Sequence, residues 1–327
     1  MLDVTESRLS ADFERERLTR NIGRTDILFK HLTQSAAILA LLLLGGVIVA
    51  LIEGSLPALR TFGFAFFVTE KWSPVNDHYG ALAPIYGTLV TSIVALLIAV
   101  PVGLGIAIFL TELSPLVLKR PIGIAIELLA GIPSIIYGLW GFFILSPVLQ
   151  RTLQPALISV TEPIPILNQL FAGPPFGIGI LTAGLILAIM ILPFIVSITR
   201  DVFETVPPML RESAYGIGCT TWEVVLNVVL PYTRSGVVGG VMLALGRALG
   251  ETMAVTFVVG NAHRISASIL QPGTTISASI ANEFTEALTP LYTSSLIALG
   301  LILFIITFIV LAAARFMLAH LQRASGA

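Results

Sequence analysis

Long uncharged stretches alternate with short charged ones along this chain. No charge interrupts the runs Leu32 to Ile52, Tyr79 to Thr111, Leu128 to Gln150, Pro163 to Thr199 and Ala287 to Ala314. A helix needs roughly 20 apolar residues to cross the hydrocarbon core of a bilayer, and each run is that long. A sixth stretch, Ser235 to Gly260, is apolar apart from Arg247 and Glu251. The pattern predicts an all-α integral membrane protein with six helices near 33–53, 84–111, 121–147, 176–199, 235–260 and 288–314. These make up a transmembrane domain over residues 32–320. The stretches 54–83, 148–175 and 261–287 read as loops, because turn formers such as Pro57, Pro74, Pro155, Pro163, Pro165, Pro174, Pro272 and Gly273 fall there. Prolines and glycines inside the spans (Pro101, Gly103, Gly105, Gly131, Pro133, Gly138, Gly141, Pro193) read as kinks and points of close helix packing.

Composition agrees: 56% of the 327 residues are hydrophobic, 11% are charged, and the mean hydropathy is +0.94. A soluble domain carries about 25% charged residues, so one core in water cannot hide this much apolar surface. The net charge of −1 gives no pull toward nucleic acid. The distribution of cations orients the spans. The N-terminus, the connections near 112–120 and 200–234, and the C-terminus share one side and hold 13 of the 18 Lys and Arg residues. The other side holds Arg60, Lys71, Arg151 and Arg264, and Arg247 is left within a span. The positive-inside rule then places both termini of a multi-pass membrane protein in the cytoplasm. Residues 1–31, with six charges of each sign, read as a solvated cytoplasmic segment before an uncleaved first span.

Several chemistries are absent. The lone Cys219 has no disulfide partner, and the four histidines are scattered without metal-ligand spacing. The three lysines precede His31, Trp72 and Arg120, so none completes a P-loop. An ATP-driven transport process would need its ATPase on another chain.

The connection 200–234 is unusually ordered. After Pro207–Pro208 come Glu212, Ser213 and Ala214, three residues, Gly218, nine residues, then Val228, Leu230 and Pro231. Glu212 can offer a carboxylate to a basic partner, Gly218 permits a left-handed bend, and Pro231 is expected to end a short helix before the membrane. In the fifth span, Arg247 and Glu251 stand four residues apart, on one face of a continuous helix. Counted from Ser235, Arg247 sits roughly 18 Å deep, where an unpaired guanidinium is costly. Either Glu251 neutralises it and the pair only fixes packing, or Arg247 belongs to an anion path, with Glu251 holding it between passages. A guanidinium fork suits phosphate oxygens. Thr252 can add a hydroxyl or simply pack. Glu127, with Ser134 and Tyr137 near its face, can line a cavity, reach the cytoplasmic interface or pair with a cation from another helix, and the structural role is preferred.

The 200–234 pattern resembles the EAA coupling loop of type I ABC importer permeases, with Ser213 and Val228 as departures. The run LGRALGETMAVTF around Arg247 is similar to that of the phosphate ABC importer permeases, closest to the C-type of the two paired permeases. LLAGIPSIIYGLWGFF from Leu128, YGTLVTSIVALLIAVPVGLGIAIFLTEL from Tyr86 and IANEFTEA from Ile280 support the likeness over most of 80–315. The resemblance implies a non-catalytic permease subunit coupled through Glu212, Ala214, Gly218, Leu230 and Pro231 to an ATPase subunit present in two copies. It also implies a second related permease and an extracytoplasmic phosphate-binding protein, with ATP and Mg held by the ATPase and no cofactor in this chain. Other cargoes of the same class are molybdate, sulfate and phosphonate. A membrane enzyme would need a polar catalytic cluster that is missing, and a stand-alone channel leaves the EAA-like loop unexplained.

Overall fold

A computed structural model describes residues 2–324, with side chains described from residue 26 onward except those of Leu116, Ile166, Met317 and 320–324. Most of the charges expected of the N-terminal segment 1–31 therefore lie outside the described side chains. The chain forms two units, 1–53 and 54–327. The first is a single helix, the start of α1 (Leu2–Phe62). Most of its large apolar residues from Ile27 to Ile52 are exposed, and such a surface is stable only against lipid or another apolar face.

In the second unit the last turns of α1 are followed by α2 (Leu82–Leu113), α3 (Leu116–Ala130), α4 (Ser134–Thr161), α5 (Pro165–Leu170) and α6 (Ile180–Glu204). Then come α7 (Pro208–Gly216), α8 (Thr221–Leu249), α9 (Met253–Val258), α10 (Ile276–Glu283) and α11 (Pro290–Ala324). Five helices among the described residues are long and apolar enough to cross a membrane, and six if α3 and α4 together make one bent span. The most apolar window of α6 is 72% buried against 28% for α2 and α8, which makes α6 the central helix. Small residues let its neighbours approach closely. A side chain at Gly184 would strike Val94 of α2, and one at Gly240 of α8 would strike Ile198. Gly103 meets Ile195 in the same way, whereas Gly105 faces open space.

Several boundaries differ from the sequence reading. The third span is not one helix: α3 and α4 meet at 92° across Gly131–Pro133. Pro133 disfavours helical backbone in the residue before it, and the break frees carbonyls at the end of α3. The Tyr137 hydroxyl donates to one of them, that of Leu129, at 2.8 Å. The expected loop 148–175 holds the rest of α4 and all of α5. The expected loop 261–287 holds α10, and the helix of the first span continues through Pro57 to Phe62. α8 starts at Thr221, well before Ser235, and ends at Leu249, so 235–260 is not one helix.

One local device accounts for much of this. The four π turns among the described residues each end two residues before a proline: Leu113 before Pro115, Leu145 before Pro147, Leu153 before Pro155, and Val229 before Pro231. A proline clashes with the carbonyl four residues back, and a widened turn moves that carbonyl aside. In α4 and α8 the helix therefore passes through its prolines instead of stopping. Pro231 does not end a helix, contrary to expectation.

Candidate functional site

The coupling-loop residues fall on a compact helical hairpin. α7 opens at Pro208, whose missing N–H is no loss in a first turn. The chain then turns at Gly218, which has φ +94°, a conformation an L side chain rarely adopts. Thr220 starts α8 with a capping box: its N–H donates to Glu223 at 2.8 Å, and its hydroxyl accepts from the Glu223 N–H at 3.4 Å. Ala214 is buried against Phe203 of α6 and Val224, and Leu230 packs on the same cluster. Glu212, Gly218 and Pro231 are exposed. Around Glu212 the hairpin shows water a large apolar surface, with Met209 75%, Ile217 83% and Trp222 63% exposed. Surfaces of this kind mark interaction sites. Charged pairs brace the same end: Lys119 to Glu204 at 2.9 Å, Arg200 to Glu127 at 2.9 Å, and Arg211 to Glu112 at 3.0 Å. Glu127 is thus tied to a cation of α6, the role preferred from sequence.

Arg247 and Glu251 are not on one helix face. Arg247 stands in the last turn of α8, and the helix ends at Gly250 before α9 begins. The Glu251 carboxylate accepts instead from the Ala254 N–H at 3.3 Å, at the start of α9. Thr252 turns its hydroxyl toward the Gly250 carbonyl at 3.4 Å. No carboxylate pairs with Arg247 among the described residues; its guanidinium lies 4.9 Å from the centroid of the Phe194 ring. Ring and guanidinium attract, yet the N–H donors stay available. Arg247, Glu251, Phe194, Gly246 and Thr307 share an open cleft of about 500 Å³, which brings together the two charged residues singled out from sequence. Thr252 is not in its lining. Phe194 and Thr307 carried no signal in the sequence, being an ordinary aromatic and an ordinary threonine within apolar runs.

Sequence reasoning also missed a buried polar hub between α9 and α11. The Glu283 carboxylate accepts from Trp72 Nε1 at 2.5 Å and from the Tyr292 hydroxyl at 2.7 Å, and lies 3.4 Å from His263 Nε2. His263 stacks on Trp72 with ring centroids 5.1 Å apart and reaches Ser279 at 3.1 Å. Burial pushes the His263 imidazole down to about 4 and lifts the Glu283 carboxyl above the usual carboxylate range. Tyr79, packed on Tyr292, is pushed up to about 12 by burial and by the Asp77 carboxylate it bonds. The hub fastens the 63–81 connection to the 259–275 strap, where the Glu70 carboxylate also takes the Ile265 N–H. Just past the strap, the Ile276 N–H at the start of α10 donates to Thr88 of α2 at 2.9 Å.

A helical membrane bundle with a broken, arginine-bearing helix and an exposed helical hairpin at one end defines a transport permease. The family described as "binding-protein-dependent transport system inner membrane component" matches residues 99–323, and the chain belongs to that family. It is 65% identical over its full length to the phosphate transport system permease protein PstC of Mesorhizobium japonicum, covering all of that protein. It is 55% identical to the PstC of Pasteurella multocida, over 96% of this chain and 97% of that one. A probable phosphate permease PstC of Methanocaldococcus jannaschii is 37% identical over 91% of this chain and 93% of its own length. Among solved structures, a bacterial alginate ABC transporter chain shares the fold with TM-score 0.57 and 18% identity, over 92% of this chain and 96% of that one.

Proposed function

We propose that this chain is the permease subunit of an ATP-driven inorganic phosphate importer of the bacterial inner membrane, with both termini in the cytoplasm. It forms half of the translocation path, and a second, related permease forms the other half. Two copies of a separate ATPase subunit bind ATP and Mg. A phosphate-binding protein delivers cargo from outside. The observation that carries the cargo is Arg247, held by a ring face and paired with no carboxylate among the described residues, on a cleft between α6, α8 and α11. A cationic fork of this kind complements an oxyanion, and the relatives named as phosphate permeases point to the same cargo. Thirteen cations against four support the orientation. The exposed apolar hairpin around Glu212 and Gly218 supports docking of the ATPase, with Ala214 and Leu230 fixing it to the bundle and Pro231 inside α8, just past the π turn, where the helix continues toward the membrane. Thr252 acts through the break that ends α8.

The test is uptake of labelled phosphate by proteoliposomes holding the whole complex, internal ATP and the binding protein. Uptake that needs ATP and resists excess sulfate, molybdate and phosphonate supports phosphate as cargo. Uptake of one of those oxyanions instead retains the permease and replaces the cargo.

A further inference from the structure

The charged pairs at the coupling end include one that the proposed function leaves without a task. Arg211 stands on α7 beside the exposed Glu212, but its own side chain turns inward. Its Nη2 donates to the Phe203 carbonyl of α6 at 2.7 Å. The same nitrogen lies 3.0 Å from Oε1 of Glu112, in the π turn that ends α2. The Glu112 side chain is only 6% exposed, and a carboxylate so buried requires a cation against it. One guanidinium therefore joins the coupling helix to two spans.

The pair is close but out of line. Among the described residues, Oε1 of Glu112 accepts no hydrogen bond and the buried Nε of Arg211 has no acceptor. A fork-on-fork contact would satisfy both atoms. A small shift of α7 against the end of α2 would bring these two open polar atoms into one contact. α2 lies along α6 with Gly103 against Ile195 and Val94 against Gly184, so a push on its end moves packed helices instead of deforming them.

We propose that Arg211 and Glu112 are positioning residues that pass displacement of the coupling helix to α2 and α6, closing to a bidentate pair as the ATPase moves α7. This inference rests on the permease reading above. The experiment compares the reconstituted complex with Glu112→Gln, Arg211→Gln and the double variant, and reads solute taken up per ATP hydrolysed. Each single variant should assemble and hydrolyse ATP while the transport ratio falls about ten-fold, within the usual range of coupling free energies. The double variant should be no worse than either single, because one link is removed once. A wild-type ratio in a single variant, or losses that multiply in the double, would overturn the proposal. Should a glutamine variant fail to assemble, Arg211→Lys decides: it keeps the charge and loses the fork. A lowered ratio there supports the staple, and an unchanged ratio refutes it. If the wild type takes up no phosphate, the cargo assignment fails by itself, and the same ratios are read with the oxyanion it carries.

Discussion

Acidification should loosen the hub around Glu283, and His263→Gln should remove most of that response. In the folded chain the imidazole is pushed down to about 4 by burial, against 6.5 when unfolded. Between those values the unfolded chain binds more protons, so stability rises with pH across this window. The contribution is fully present above about 6.5 and is lost as pH falls toward 4. At pH 5 the proton-binding factor is about 30 for the unfolded histidine and about 1 for the folded one, a loss of about 2 kcal/mol. Glu283 works in the opposite sense. Its carboxyl is raised by burial, so its contribution is present below the usual carboxylate value and falls as pH rises through the raised one. The readout is therefore the difference between wild type and variant, with Glu283 common to both. Glutamine keeps an amide near the position from which Nε2 reaches Ser279, so the site stays filled. Thermal unfolding of the purified protein in detergent at pH 7 and pH 5 should show wild type losing about 3 °C more than His263→Gln. Equal losses would refute the reasoning. So would a wild type that loses less than His263→Gln, because the Glu283 carboxylate 3.4 Å away would then outweigh burial.

Three further outcomes follow from the geometry. Arg247→Ala should lower phosphate uptake at least about ten-fold with normal assembly, and Arg247→Lys should recover only part, because an ammonium lacks the planar fork; uptake by both variants checks this. Gly218→Val places a β-branched residue at φ +94°, which costs about 1–2 kcal/mol in the hairpin. The measurement is co-purification with the ATPase subunit, which should weaken while the fold of the bundle persists. Gly87→Ala drives a Cβ into the Thr274 carbonyl of the strap, backbone that cannot step aside. It should cost about 1–3 kcal/mol and lower the unfolding temperature in detergent.

The spans were legible because charge is excluded from hydrocarbon, and this filter needs no tertiary information. The boundaries were less so, and the prolines show why. Pro133 marks a 92° break, whereas Pro147, Pro155 and Pro231 are each accommodated by a π turn that ends two residues earlier. Whether a preceding turn widens depends on packing around it, such as the burial of Val225 and Val229 in the turn before Pro231, and no local pattern of residues records that. The hairpin was the reverse case. Its glycine and its capping threonine act within a few residues, so spacing alone located the bend at Gly218.

Arg247 and Glu251 combine both cases. Four-residue spacing means contact only if the helix continues, and here it stops at Gly250 with no proline involved. The stop changes the chemistry as well as the outline. On an unbroken helix Glu251 would face Arg247 and occupy the donors an anion needs. With the break, Glu251 turns to the Ala254 N–H, and Arg247 rests on Phe194. A ring face holds a guanidinium without taking its N–H groups, and an arriving oxyanion then displaces no internal carboxylate. The interruption at Gly250 thus separates two charges that the sequence places side by side, and this separation leaves the guanidinium N–H groups of Arg247 untaken by Glu251.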